Sequence, residues 1–153
     1  VQPNASPAAL ELDWAPPGEP PEQALSLRLR VFCEEQGVSR EEELDGRDGD
    51  ALHLIARAGA GGPVVGTLRL LVDGDRAKIG RVAVEPARRR QGIALQMLRL
   101  ALERAQELGC SRARLAAQVE AVELYRRAGF AVESEPFMEA GIEHVWMGRG
   151  LGS

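Results

Sequence analysis

Arg88, Arg89, Arg90, Gln91, Gly92, Ile93, Ala94 and Leu95 form a stretch whose residue types and spacing could do chemistry. It lies between a strand-like run, Lys78 to Val84, and a helical run, Gly92 to Leu108. Three cations and a small-residue turn therefore stand where a helix begins. The first N–H groups of a helix have no intrahelical partner, and the helix dipole adds partial positive charge there. Gly92 and Ala94 let a ligand approach the backbone closely. The combination suits a small anion, a pyrophosphate in particular. The chain carries 19 Lys and Arg against 23 Asp and Glu, a formal net charge of −4. Against that acidic background a local basic cluster fits a small anionic ligand better than a nucleic acid.

The elements that must position this loop follow from pattern and punctuation. Ala9 to Trp14 alternates as a first strand. After the Pro16–Pro21 linker, Leu25, Leu29 and Phe32 recur on one helical face, and Gly37 stops that helix. Arg40 to Asp50 is an acidic loop, read either as solvated surface or as an attractor for a cationic amine. Its Asp45–Asp50 segment faintly resembles a calcium loop but lacks the ligand spacing and the closing glutamate. Ala51 to Arg57, Val64 to Val72 and Ala77 to Val84 are strands joined by glycine-bearing turns. The long helix follows, with Ala94, Leu98, Ala101, Ala105 and Leu108 at helical spacing and Gly109 at its end. Arg112 to Ala117 is a strand, Glu120 to Ala128 a short helix, and Phe130 to Ser134 and Ile142 to Met147 are the last strands. The expected order is β-α-β-β-β-α-β-α-β-β, an α/β fold with a mixed sheet flanked by helices.

The 153 residues, 44% hydrophobic and 27% charged, suit one domain over residues 10–150 behind a loose arm at residues 1–9. Cys33 and Cys110 lack metal-ligand spacing, no zinc, iron or calcium site is visible, and two unbridged thiols fit a cytoplasmic protein. No apolar run is long enough to span a bilayer, and the start of the chain lacks a signal-peptide pattern.

Val82-Ala83-Val84, then Arg89-Arg90-Gln91-Gly92-Ile93-Ala94, then Leu124-Tyr125-Arg126-Arg127-Ala128-Gly129-Phe130, in that order and on those elements, resemble the signature of the GNAT superfamily of acyl-CoA-dependent N-acetyltransferases. Leu29 to Phe32, Glu35 to Gly37, Glu43 to Gly46, Gly66 to Arg69, Ala117-Gln118 and Glu139 to Ile142 with His144 are similar to its ElaA-type branch. The resemblance implies a V-splayed sheet, opening between the strand of Val82 to Val84 and that of Arg112 to Ala117. It implies acetyl-CoA as co-substrate, its pyrophosphate at Arg89 to Leu95 and its pantetheine along the backbone of Val82, Ala83 and Val84. Relatives commonly place glycine where this chain has Arg90, whose side chain could instead reach the adenosine 3′-phosphate; Arg88 is expected to be simply exposed.

Tyr125, the only tyrosine, matches the residue that protonates the departing thiolate, for which a phenol near pKa 10 suits a thiol near 8.5. Glu35 or His144 is implied as the group that takes the proton from the acceptor amine, while His53 reads as structural. The expected reaction is direct acetyl transfer to a primary amine of a small molecule or peptide, with no covalent enzyme intermediate. The alternative is an acyl-CoA-binding sensor that does not turn the cofactor over. Two copies could join through the last strands as a homodimer.

Overall fold

A computed structural model describes residues 9–152, so the arm expected over residues 1–9 lies, apart from Ala9, outside the described residues. Eight strands make one sheet: β1 (Leu10–Trp14), β2 (Leu52–Ala58), β3 (Val64–Asp73), β4 (Arg76–Val84), β5 (Arg112–Gln118), β6 (Ala131–Val132), β7 (Phe137–Glu139) and β8 (Ile142–Gly150). The order across the sheet is β1-β2-β3-β4-β5-β8-β6, with β7 also paired to β8. Every pairing is antiparallel except that of β4 with β5.

The helices are α1 (Glu22–Arg28), which runs on as a π-helical segment over Leu29–Glu35, then α2 (Arg40–Glu43), α3 (Ile93–Glu107) and α4 (Val122–Arg127). Alternation along β2 to β4 serves two cores. Leu54, Leu68, Leu70 and Ile79 pack with α3 residues such as Met97 and Leu98, while Ile55, Val64 and Ala83 pack with Ala24, Leu27 and Val31. Gly66 of β3 lets α3 come close, since a Cβ there would meet Ile93 and Met97 at 3.1 Å. That contact seats the first turn of α3 against the sheet.

The expected architecture is the observed one, with local corrections. A short strand, β7, was not expected, and β6 is only Ala131–Val132. The buried face of the first helix is Ala24, Leu27, Arg28 and Val31, with Leu25, Leu29 and Phe32 half-buried. Counting apolar positions misplaces this face because an arginine occupies its centre. On α3 the buried face likewise includes Ile93, Leu95, Met97 and Leu102, and Leu108 is exposed.

Arg28 is buried because the acidic loop folds over it. Its guanidinium donates to Glu43 at 2.9 Å and to both Asp48 oxygens at 2.7 and 3.1 Å. Arg69 of β3 donates to Asp45 at 2.9 and 2.5 Å and to Asp48 at 3.2 Å. Arg81 of β4 pairs with Glu43 and Asp45, and donates to the Glu42 and Glu43 carbonyls. Glu43 and Asp48 are buried, so the solvated-surface reading of the loop does not hold for them. Glu43, Asp45 and Asp48 are engaged by these arginines, whereas Glu41, Glu42 and Asp50 are exposed.

Arg81 has a positive φ of 53°, and the β3–β4 register passes from Thr67↔Ala83 to Arg69↔Gly80, a bulge at Arg81 and Val82. A side chain other than glycine in that conformation is strained, and the guanidinium contacts hold it there.

Burial alone would raise the Asp48 carboxyl, but hydrogen bonds and charge from Arg28 and Arg69 bring it below the usual range. The Arg69 hydrogen bonds hold Asp45 lower still. Depressed carboxyls contribute stability that is present above their unfolded pKa of about 4 and lost as pH falls through the folded values. Thermal scans should therefore show a melting temperature nearly constant from about pH 8 to 5 and falling below about pH 4. Asp48→Ala, which strands a buried guanidinium, should lower denaturant-measured stability by about 3–5 kcal/mol.

Candidate active site

β4 and β5 pair only at their base, through Arg76↔Arg112, Ala77↔Ala113 and Lys78↔Arg114. Beyond Lys78 and Arg114 the strands separate, so two stretches of backbone face each other without ladder bonds. The bulge at Arg81 and Val82 lies within this unpaired stretch of β4. The result is a cleft of about 1080 Å³ that passes from the start of α3, between the strands, to the opposite face of the sheet.

At the α3 end, Gly92 is the N-cap with φ 83° and offers no side-chain cap. Gln96 N–H donates to the Gly92 carbonyl, so the N–H groups of Ile93, Ala94 and Leu95 precede the first helical bond. Arg90, too, takes a left-handed angle, φ 65°, with its side chain exposed. The backbone thus accepts at Arg90 the conformation for which glycine is the ready residue. Arg88, expected to be simply exposed, is half-buried and lines the cleft. Gln91 is exposed and outside the lining, whereas Arg89, Arg90, Gly92, Ile93, Ala94 and Leu95 contribute to it.

Arg89 is already engaged. Its terminal nitrogens each donate at 2.6 Å to the Glu35 carboxylate, and its Nε donates to the Val84 carbonyl at 3.1 Å. The Arg89 hydrogen bond holds the Glu35 carboxyl below its ordinary value, with desolvation acting against it. A carboxylate so held is a weaker base, and Glu35 does not line the cleft. Val82 and Val84 do line it, whereas the Ala83 side chain is buried against α1, which leaves only its backbone for a ligand.

Tyr125 is buried in α4 and lines the cleft between the strands and the α3 end. Its ring meets Phe130 edge-on, centroids 6.4 Å apart and planes at 81°. The Tyr-x-x-x-Gly-Phe spacing has a local cause. Phe130 N–H donates to the Tyr125 carbonyl and Gly129 N–H to that of Arg126, with Gly129 at φ 90°. This is a Schellman end, and it seats the Phe130 ring against the tyrosine. Burial pushes the phenol up to about 12. The hydroxyl therefore stays protonated through the physiological range and acts as a hydrogen-bond donor. Full transfer to a thiolate near 8.5 would be uphill by roughly 3–4 pK units, about 5 kcal/mol.

On the opposite face, His144 of β8 is buried and lines the same cleft. Its Nδ1 lies 2.7 Å from the Ile142 carbonyl. A carbonyl only accepts, so Nδ1 carries the proton and neutral His144 presents the lone pair of Nε2. Phe137 stacks on the ring at 5.9 Å. Gln118, opposite His144 in register, donates through Nε2 to Gln36 at 2.8 Å and so ties β5 to the segment after the π-helix. His53 is buried, with Nε2 2.9 Å from the Asp48 carbonyl, in a structural role. The sequence reading did not find Arg81, Gln36 or Lys78 of the lining. For Arg81 and Lys78 the available signal was a cation at interior positions of a strand.

Both cysteines are free, Cys110 buried and Cys33 half-buried. Among the described residues no group of three or more His, Cys, Asp or Glu side chains could hold a metal ion, and no helix is long and apolar enough to cross a membrane.

Residues 19–151 match the family described as acetyltransferase (GNAT) domain. The uncharacterised N-acetyltransferase YjcF of Bacillus subtilis is 32% identical over 125 residues, covering 81% of this chain and 88% of that protein. An acyl-CoA N-acyltransferase structure from Pseudomonas aeruginosa is 31% identical, with a TM-score of 0.77 over 92% of this chain and 99% of that one. The ElaA structure from Escherichia coli is 26% identical, with a TM-score of 0.75 over 91% and 99%, one of several comparably distant structures. The chain belongs to the GNAT family and is an acyltransferase.

Because Tyr125 is the only tyrosine, its ionisation can be read directly. Tyrosinate absorbance should appear with a midpoint near 12 in the folded protein and near 10 in denaturant. An acid whose folded pKa is raised keeps its proton longer than the unfolded chain. Stability should accordingly fall as pH rises through that window.

Proposed function

We propose that this GNAT-family enzyme transfers an acetyl group from acetyl-CoA directly to a primary amine, and that it belongs with the ElaA-type branch. The observation that carries the reading is a single cleft joining an uncapped helix start, a strand gap, Tyr125 and His144. The free N–H groups at Ile93 to Leu95, helped by Arg88 and Arg90, hold the pyrophosphate. The pantetheine amides run along the unpaired backbone of Val82 to Val84 as an added strand would. A backbone N–H of that strand polarises the thioester carbonyl.

The amine enters from the face bearing His144. His144 Nε2 takes the ammonium proton, and the freed nitrogen attacks the thioester carbon. The N–C bond forms, the C–S bond breaks, and the Tyr125 hydroxyl stabilises the departing thiolate. The thiolate takes up the second proton, which the nitrogen sheds on becoming an amide, and leaves as CoA thiol, while His144 passes the ammonium proton to solvent. Holding amine and thioester together in the gap supplies much of the acceleration. His144 replaces Glu35 as the better base because its nitrogen is unpaired and lines the cleft, whereas Glu35 is bound to Arg89 outside it.

Incubation with acetyl-CoA and a panel of amines should release CoA thiol in amounts matching acetylated product; cofactor binding without turnover on any amine would overturn the assignment and favour a sensor. His144→Gln should lower kcat/KM by about 10²-fold, with partial rescue by added imidazole. Tyr125→Phe should lower kcat by about 10- to 100-fold with acetyl-CoA KM little altered.

A further inference from the structure

The pairing at the base of the cleft sets four cations on one face of the sheet. Arg76 and Lys78 of β4 stand in register against Arg112 and Arg114 of β5. The residues between them, Ala77 and Ala113, turn the other way into the core. Like charges on facing positions repel, so this arrangement has a cost to the fold. Arg112 is neutralised by Glu133. Among the described residues no carboxylate forms an ion pair with Arg76, Lys78 or Arg114.

Lys78 and Arg114 are also held in place. The Arg114 guanidinium carbon lies 3.8 Å from the centroid of the Trp146 ring, and Lys78 Nζ lies 5.3 Å from it. An aromatic face orients a cation without neutralising it. Lys78 lines the same cleft as His144. Arg114 instead lines a smaller hollow of about 200 Å³ with Arg76, Arg112, Glu133 and Trp146, and the Trp146 ring is what the two cations share. Desolvation lowers its pKa; Glu139 opposes this, and Arg69, Arg114 and Arg81 add to it. Of the acidic-loop carboxylates, Glu43, Asp45 and Asp48 are taken by Arg28, Arg69 and Arg81, while Glu42 and, from β7, Glu139 line the cleft without forming an ion pair to Lys78.

We propose that the acceptor carries an anionic group, carboxylate or phosphate, besides its reacting amine, and that Lys78 and Arg114 bind that group. This rests on the acetyltransferase reading given above. Along β8 the partners of Arg114, Ala116 and Gln118 are Gly148, Trp146 and His144. The anion site and the base thus lie at two ends of one face, about 13 Å apart along the strand before the side-chain arms are counted. The fitting acceptor has its anion several bonds from its amine. A polycationic amine is disfavoured by the same charges.

Initial rates with matched pairs test this: 4-aminobutyrate against butylamine, glucosamine 6-phosphate against glucosamine, and spermidine as the polycation. At least one anionic compound should exceed its neutral partner about tenfold or more in kcat/KM, and which pair shows the effect tells carboxylate from phosphate. Lys78→Gln and Arg114→Gln should each remove most of that advantage through the acceptor KM. Equal or faster turnover of the neutral amines or spermidine overturns the proposal, as does a preference that survives both substitutions. If no amine is acetylated, the acetyl-transfer assignment fails separately. The anion site is then read from Trp146 fluorescence, with Trp146→Phe as the blank for Trp14, titrating phosphate or 4-aminobutyrate in the presence of CoA. A saturable change lost in Lys78→Gln supports the site, and no saturable change overturns it.

Discussion

Three arginines and three carboxylates, joined in a network whose centre is buried at Arg28, Glu43, Asp48 and Arg69, govern the shape on which everything else depends. Arg28 comes from the first helix, Arg69 and Arg81 from neighbouring strands, and Glu43, Asp45 and Asp48 from one loop. Charges taken out of water gain little net stability even when well paired, but removing one member leaves its partner stranded. The network is therefore better understood as fixing geometry than as adding strength. It holds Arg81 at a positive φ within the β3–β4 bulge, on the stretch of β4 that lies beyond its last pairing with β5. Without the parting of β4 from β5 the sheet would be continuous and the cleft would not exist.

The gap gives two faces of one sheet different chemistry. Toward α3 the walls are backbone N–H groups and apolar side chains, a setting that suits amides and a pyrophosphate. Toward α1 and β8 they include cations, the Phe32 ring and His144, whose Nδ1 is bound to the Ile142 carbonyl. Tyr125 also lines the cleft, its phenol kept protonated through the physiological range by burial. A phenol of this kind contributes by being an unfailing donor rather than by titrating, and His144 carries the proton traffic of the reaction proposed here.

Local features were legible in the sequence and distant ones were not. The turn at Arg89 to Leu95 could be read because an N-terminal helix site depends on adjacent residues. So could the end of α4, where Tyr125, Gly129 and Phe130 form a Schellman turn within six positions. The acidic loop misled because its partners lie far away: Arg28 is 15 residues from Glu43, and Arg69 is 24 from Asp45. A run of carboxylates resembles surface until the arginines that bury it are known. The same blindness misplaced the face of α1, where Arg28 occupies a core position. Strand β7 escaped because three residues give no measurable alternation. The engagement of Arg89 with Glu35 was likewise invisible, joining two residues 54 positions apart.

At the base of the cleft, successive residues of β4 and β5 answer to different requirements. Ala77, Ile79, Ala113 and Leu115 fill the interior, while Arg76, Lys78, Arg112 and Arg114 face outward. Inheritance can therefore act on the two sets separately. An exchange at Lys78 or Arg114 alters the charge of the outer face and leaves the packing beneath untouched, whereas the six charges of the network, four of them buried, must drift together or not at all. A lineage built on this framework is free to change its clientele while its machinery for the common donor stays fixed.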